Sequence, residues 1–292
     1  MKPQVIRVKS WSKLHDALYH DSWAEDLHRY RSSYVYRGLA DRAYDLSTTL
    51  NRLGESHLER HLLRNFIKYS QRSDSPRNLW FWLALGQHHG LPTRLLDWTY
   101  SPLVALHFAT SDFTKYDRDG MIWAVDYVNS VNYLPDKLGA TIKAEGAHVF
   151  TAELLDQAVE SLRDLESLQR EPFVVFFEPR SLDERIVNQH ALFSMMSHPE
   201  VILSSWLQHP EVEVKHFQII IPATLKWEIR DKLDQANVNE RMLFPGLDGL
   251  ATWLTRHYKD IRPKRAGEKC GTRDAGRAGT RPYRFGRRST SS

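Results

Sequence analysis

Two short segments concentrate the side chains of this chain that could do chemistry. Tyr36-Arg37-Gly38 ends a short apolar run, and Arg94 and Asp97 lie three residues apart in a second segment about fifty residues later. The planar fork of an arginine fits phosphates and carboxylates, and a neighbouring glycine lets the backbone come close. We therefore expect the functional site to lie in these two segments.

Each of these residues also has a structural interpretation. Arg37 could hold an anionic ligand, or it could pair with a carboxylate such as Asp97. Arg94 and Asp97 could shape a pocket as an ion pair or clamp a ligand directly. His88 and His89 could contact a ligand, or they could cap the carbonyl groups at the end of a helix. The sequence alone leaves these alternatives open.

Composition restricts the class of protein. The chain has 292 residues, of which 41% are hydrophobic and one, Cys270, is a cysteine. It is long enough to bury a sizeable core. No segment reaches the roughly 18 consecutive apolar residues of a membrane span, and no apolar signal core follows the first residues. We expect a cytoplasmic protein with no membrane partner.

Charge is distributed unevenly along the chain. Residues 261–292 carry ten basic and two acidic residues, a net charge of +8, whereas the remainder carries 30 basic and 34 acidic residues, a net charge of −4. A segment this charged and this poor in aliphatic residues cannot bury enough surface to fold. We expect a disordered basic tail over 261–292 that makes at most weak, salt-sensitive contacts with nucleic acid.

Helix caps, helical periodicity and short β-branched runs together predict an α+β fold in which helices flank a small sheet. The expected strands are Tyr34–Arg37, Met121–Val128, Phe173–Glu178 and Phe217–Ile221. The expected helices cover about 12–30, 76–89, 151–170, 182–196, 224–236 and 248–259, and others begin at Ser56 and Ser101. In this interpretation the segment from Gly90 to Thr99 is a loop between two helices, a common place for ligand-binding groups.

Five segments of the chain occur in the order found in FRG-domain proteins, a family found chiefly in bacteria and their phages. They are Tyr36-Arg37-Gly38 and the ranges 93–99, 101–109, 185–193 and 243–250. The chain resembles that family over about residues 5–258, although Ala191 stands where the family usually has glycine and Gly246 where it often has aspartate. The resemblance implies one FRG domain over residues 1–260.

An aromatic-Arg-Gly motif at a strand end is also similar to the first motif of arginine-type ADP-ribosyltransferases, in which the arginine helps to hold NAD. This resemblance implies NAD as a substrate, and a toxin or phage-defence effector that modifies a protein or nucleic-acid acceptor. The chain lacks the paired glutamates of those enzymes, and Glu240 is the nearest equivalent. Under this hypothesis the catalytic residues are Arg37 and Glu240. Together with the residue types weighed above, we expect the ligand-binding residues to be Arg37, Gly38, His89, Arg94, Asp97 and Gln189.

The alternative is a non-catalytic module that binds a nucleotide, a nucleic-acid end or a protein partner through the same residues. The missing pair of glutamates favours this alternative, and the acidic body argues against binding along an extended duplex. His57 and His61 lie four residues apart, but no third ligand is indicated, so we expect no metal site. Both hypotheses require Arg37, Arg94, Asp97, Gln189 and Glu240 to meet in one cleft.

Overall fold

An eight-stranded mixed sheet runs through the centre of the computed structural model, which describes residues 3–70, 78–179 and 184–259. Its strand order is β1-β10-β6-β4-β5-β9-β8-β7. The strands are β1 (Gln4–Arg7), β2 (Trp23–Ala24), β3 (Arg29–Tyr30), β4 (Tyr34–Leu39), β5 (Leu95–Thr99), β6 (Gly120–Asp126), β7 (Phe150–Thr151), β8 (Val174–Glu178), β9 (Ala191–Met196) and β10 (His216–Ile221).

Only the two edge pairs, β1 with β10 and β7 with β8, are parallel, and the pairs between them are antiparallel. Strands β2 and β3 form a separate small hairpin. Helices and sheet belong to one domain, so the expected α+β class is confirmed. The tail over 261–292 lies outside the described residues, as do the first residues of the helices expected over 76–89 and 182–196.

The helices are distributed along the whole described chain. Within residues 3–70, 78–179 and 184–259, no helix is both long and apolar enough to cross a membrane. They are α1 (Trp11–Leu18), α2 (Thr49–Leu53), α3 (Glu59–Tyr69), α4 (Leu79–His88), α5 (Pro102–Ala109), α6 (Tyr127–Ser130), α7 (Asp136–Glu145), α8 (Ala152–Ala158), α9 (Leu162–Ser167), α10 (Glu184–Asn188), α11 (Leu203–Leu207), α12 (Lys226–Gln235), α13 (Glu240–Leu243) and α14 (Leu247–His257).

The sheet separates three apolar clusters. One face of β4, β6 and β10 packs against α1, α5 and α12, and the same face of β5, β8 and β9 packs against α3, α4, α8 and α9. The opposite face packs against α11 and the loops that follow it. All seven residues of β6 are buried, because both faces of that strand are covered. The two clusters that share a face meet at β4 and β5.

Three of the expected helices are wrong in extent because the chain turns inside them. The first ends at Leu18, and positive φ angles occur at Asp21, before the β2–β3 hairpin, and at His28, in the turn of that hairpin. The helix expected over 151–170 is interrupted at Val159, whose backbone is extended. The helix expected over 182–196 stops at Asn188, and His190 (φ 47°) turns the chain into β9.

The loop expected from Gly90 to Thr99 is wrong in its second half. Leu95–Thr99 is a strand between β4 and β9, and only Asp97 of its five residues is exposed. Five residue pairs join it to β9. The nearby glycine and prolines indicate a loop from local sequence, but burial between two strands is decided by residues far away in the chain.

Candidate functional site

The candidate site is a cavity of about 290 Å³ where strands β4 and β5 separate. These two neighbouring strands share one register pair, Tyr36 with Thr99, whereas β4 pairs with β6 along its whole length. The cavity is lined by Tyr36, Arg37, Gly38, Gln87, His88, Asp97, Trp98, Thr99, Phe108, Arg185, Ile186, Gln189, Ala191 and Phe193. It therefore lies where the two apolar clusters on one face of the sheet meet.

Arg37 and Asp97 bridge the two strands at the cavity. The Nη1 atom of Arg37 donates to the backbone oxygen of Asp97 at 2.5 Å, and the Asp97 carboxylate lies 3.6 Å from the same nitrogen. Burial lowers the pKa of Arg37 from its usual value, and the neighbouring Asp97 opposes that effect. The Nε atom of Arg37 is buried without a hydrogen-bond partner among the described residues. Arg37 thus keeps donor capacity that the fold does not use.

Gln87, at the end of α4, holds the Asp97 carboxylate in place. Its Nε2 atom donates to Asp97 Oδ2 at 3.0 Å, and its Oε1 atom accepts from Thr93 Oγ1 at 2.6 Å. Thr93 Oγ1 in turn accepts from the backbone N–H of Leu95, which leaves its hydroxyl proton for Gln87. These bonds fix the orientation of the Gln87 amide, and the carboxylate of Asp97 stays largely exposed.

The remaining lining residues give the cavity an aromatic wall and a net positive charge. Tyr36, Phe108 and Phe193 supply rings, and Arg185 on α10 adds a second arginine. Two arginines outweigh the one carboxylate among the described lining residues, so the cavity suits an anionic ligand with a planar apolar part. Rings can stack on such a part, and arginine forks match phosphate oxygens.

Gly38 is required by the packing of α5 on β4. A Cβ atom at this position would lie 1.8 Å from the backbone oxygen of Ala105 and 2.6 Å from the backbone nitrogen of Ala109. No side chain could be accommodated unless the helix moved away from the strand. The glycine of the aromatic-Arg-Gly motif therefore lets a helix approach, and this role is independent of any ligand.

Gln189 lies in the turn between α10 and β9 and connects the cavity to α13. Its backbone oxygen accepts from Thr99 Oγ1 at 2.7 Å, and its Nε2 atom donates to the backbone oxygen of Leu243 at 2.9 Å. The side chain is thus partly used to hold neighbouring segments together. Arg37, Gly38, Asp97 and Gln189 are the expected site residues that the structure brings together.

Arg94 does not lie at the cavity with these four residues, so the expectation that it shares their cleft is wrong. Its guanidinium is buried, with Nε 2.6 Å from Glu59 Oε2, Nη2 2.8 Å from Glu166 Oε1 and Nη1 donating to Ser197 O. Its backbone N–H donates to Glu59 as well. Glu59 is therefore an ion-pair partner of Arg94. Arg94 anchors the start of β5 to α3 and α9.

Glu240 also lies outside the cavity, in a buried ionic cluster. It accepts from Arg230 Nη2 at 2.5 Å and from Arg256 Nη2 at 2.8 Å, and Arg256 also pairs with Asp234. Burial alone would raise the pKa of Glu240, but hydrogen bonds from Arg256 and the charge of Arg230 outweigh it and hold the pKa below its usual value. The cluster joins α12, α13 and α14, so the convergence expected of Glu240 with Arg37 is wrong.

Of the two adjacent histidines, it is His88 that lines the cavity. His89 is the C-cap of α4 and packs its ring near Phe66 of α3, so the structure separates it from the other expected ligand-binding residues. Sequence reasoning left Gln87 and Arg185 without a role. Arg185 begins a segment quoted for the family resemblance, whereas Gln87 does not. The signal that the sequence offers for both is a polar residue near the end of a helix.

No group of three or more histidine, cysteine, aspartate or glutamate side chains that could hold a metal ion occurs within residues 3–70, 78–179 and 184–259. His57 lies 3.4 Å from Glu55, and His61 contacts Arg64 and Asn65 on its own helix. The two histidines are part of a solvated helix surface.

Comparison with known proteins identifies the family of one segment in the first half of the chain. The FRG domain model matches residues 32–118, which include β4, α4, β5 and α5. That segment thus belongs to the FRG domain family. The segments at 185–193 and 243–250 lie outside the matched range. No curated protein and no solved structure gives a significant match.

Proposed function

We propose that the cavity between β4 and β5 binds a nucleotide of the NAD type and that the protein acts as a nucleotide-binding module. The observation that carries this proposal is Arg37, a largely buried arginine with an unused Nε donor beside a cavity with aromatic walls. An arginine fork suits phosphate oxygens, and rings suit a base. Asp97, fixed by Gln87, offers an acceptor for a ribose hydroxyl or an amino group.

The geometry favours binding over catalysis. Glu240, the expected catalytic acid, is buried among arginines away from the cavity. Arg94, an expected ligand-binding residue, is saturated by Glu59 and Glu166. Without groups that hold the transition state better than the substrate, a site binds without accelerating a reaction. A cytoplasmic location stays a prediction from the sequence.

A cavity-narrowing variant tests the binding proposal. Ala191 lines the cavity, so Ala191→Leu should fill part of it and weaken the binding of NAD and AMP by about tenfold or more, measured by isothermal titration. Ala251→Leu adds the same bulk on an exposed face of α14 and should bind like the unchanged protein. Absence of nucleotide binding in the unchanged protein, or equal binding by both variants, would overturn the proposal.

One observation favours a second candidate, ADP-ribosyl transfer. Asp97 is a carboxylate that lines the cavity with its side chain 58% exposed. It could stabilise positive charge on the ribose C1′ while the bond to nicotinamide breaks and an acceptor nucleophile bonds to that carbon. Nicotinamide release from NAD that disappears in Asp97→Asn, with NAD binding retained, would support this candidate, and no release in the unchanged protein would exclude it. Roles as a toxin or phage-defence effector stay predictions.

A further inference from the structure

The cavity is small for the ligand class proposed above. Pockets for drug-sized ligands occupy roughly 300–1,000 Å³. A volume of about 290 Å³ lies at the lower end of that range, so the cavity suits one nucleoside-sized group. The second half of a dinucleotide must lie elsewhere on the protein.

A second concavity adjoins the first one through Arg185. It is an open groove of about 500 Å³ formed by Glu184 and Arg185 at the start of α10 and by residues 244–248 around the start of α14. Arg185 is the residue that lines both the cavity and the groove. Its guanidinium carbon lies 5.0 Å above the centre of the Phe244 ring. Arg185 is therefore positioned between the two concavities.

We propose that the cavity and the groove form one bipartite site for a dinucleotide, with Arg185 holding the diphosphate between the two nucleosides. This inference rests on the nucleotide-binding function proposed above. The cavity takes one nucleoside against Tyr36 and Phe108, and the groove takes the other beside Phe244. The carboxylates of Glu184 and Asp248 are the acceptors in the groove that suit ribose hydroxyls.

The charge pattern fits a ligand with a central diphosphate. Arginine forks bind phosphate oxygens in a bidentate manner, and the Phe244 ring beneath Arg185 restricts the orientation of the guanidinium. Acidic residues lie on the groove side of Arg185, where a second anionic group would be repelled and a neutral ribose would be accepted. The arrangement therefore selects against free polyphosphates.

Titration of NAD and of its two halves, AMP and nicotinamide mononucleotide, tests the bipartite site. We expect one half to bind weakly and NAD to bind at least about tenfold more tightly than the better half. Arg185→Gln should reduce that advantage to within about threefold, while adenosine, which lacks phosphate, binds this variant as it binds the unchanged protein. Arg163→Gln alters an arginine that lines neither concavity and should leave all affinities unchanged.

A second variant separates the groove from the junction. Phe244→Leu keeps apolar bulk but removes the ring, so it should weaken the binding of NAD and leave the affinity for the more tightly binding half unchanged. The melting temperature of this variant is checked as well, because Phe244 also contacts His107 and Phe108. A half that binds as tightly as NAD overturns the bipartite site and leaves the proposed function standing. No binding by NAD or by either half overturns both.

Discussion

Arg37 joins β4 to β5 through its side chain, because its Nη1 atom donates to the backbone oxygen of Asp97 at the place where the two strands part. A ladder hydrogen bond would normally satisfy a backbone oxygen that faces a neighbouring strand. The guanidinium of Arg37 bonds to that oxygen instead, and both residues line the cavity.

The first prediction separates the backbone contact from the ion pair. Arg37→Lys removes the fork that reaches Asp97 O, so the free energy of unfolding should fall by about 1 kcal/mol. Asp97→Asn leaves the backbone oxygen unchanged at a largely exposed position and should change stability by less than about 0.5 kcal/mol. Urea unfolding of both variants measures this difference. An equal loss in the two variants would mean that the carboxylate is the main partner.

The second prediction concerns the glycine of the motif. Gly38→Ala would place a Cβ atom 1.8 Å from Ala105 O and should destabilise the protein by about 3 kcal/mol or more, since backbone must move. Gly139→Ala is the matched control in the interior of α7, where a Cβ meets nothing within 4 Å. That change should stabilise the protein by roughly 0.5–1 kcal/mol. Thermal melting of both variants checks the contrast, and a well-tolerated alanine at position 38 would contradict the close packing of α5.

The third prediction assigns Arg94 to the fold. The side chains of Arg94 and Glu59 are each about 2% exposed. Glu59→Gln removes one of the carboxylates that neutralise the buried Arg94, so the free energy of unfolding should fall by about 3–5 kcal/mol. Arg94→Lys should cost a similar amount because lysine cannot make all of the same bonds. Nucleotide affinity measured under folding conditions should stay unchanged in both. A variant that folds normally but loses nucleotide binding would place Arg94 in the site after all.

The fourth prediction concerns pH. Burial and then the charge of Arg230 lower the pKa of His107 to about 3, below its ordinary value of 6.5. The unfolded chain therefore binds a proton that the folded protein excludes between these pH values, and stability is lost as pH falls from 6.5 towards 3. The lowered pKa of Glu240 acts in the same direction below about pH 4.5.

His107→Gln tests this pH dependence, because glutamine can still accept from Arg230 but does not titrate. Between pH 6.5 and pH 5 the unchanged protein should lose about 1.6 kcal/mol more stability than the variant, as measured by urea unfolding. Parallel pH profiles for the two proteins would mean that His107 is protonated in the fold or that its surroundings relax.

Local sequence predicts some of the elements that carry site residues, but it does not predict which residues come together in the site. The strand that carries Arg37 and the helix start at Ser101 follow from β-branched, aromatic and capping residues, and the structure has both. Strand β5 could not be recognised, because its burial depends on β9, which lies about a hundred residues later. The same distance hides the partners of Arg94, since Glu166 and Ser197 are fixed by the fold and not by neighbours in sequence. An arginine in a motif therefore does not reveal whether a ligand or a buried carboxylate holds it.

The NAD affinity of Arg37→Lys, measured by isothermal titration beside Arg163→Lys, tests the central claim most directly. Lysine keeps the charge but loses the planar fork, so we expect affinity to fall by about 1–3 kcal/mol, roughly fivefold to more than a hundredfold. Arg163→Lys, remote from the cavity, should bind NAD like the unchanged protein. A folded Arg37→Lys protein that binds NAD as tightly as the unchanged protein would contradict the role assigned to Arg37 and to the cavity.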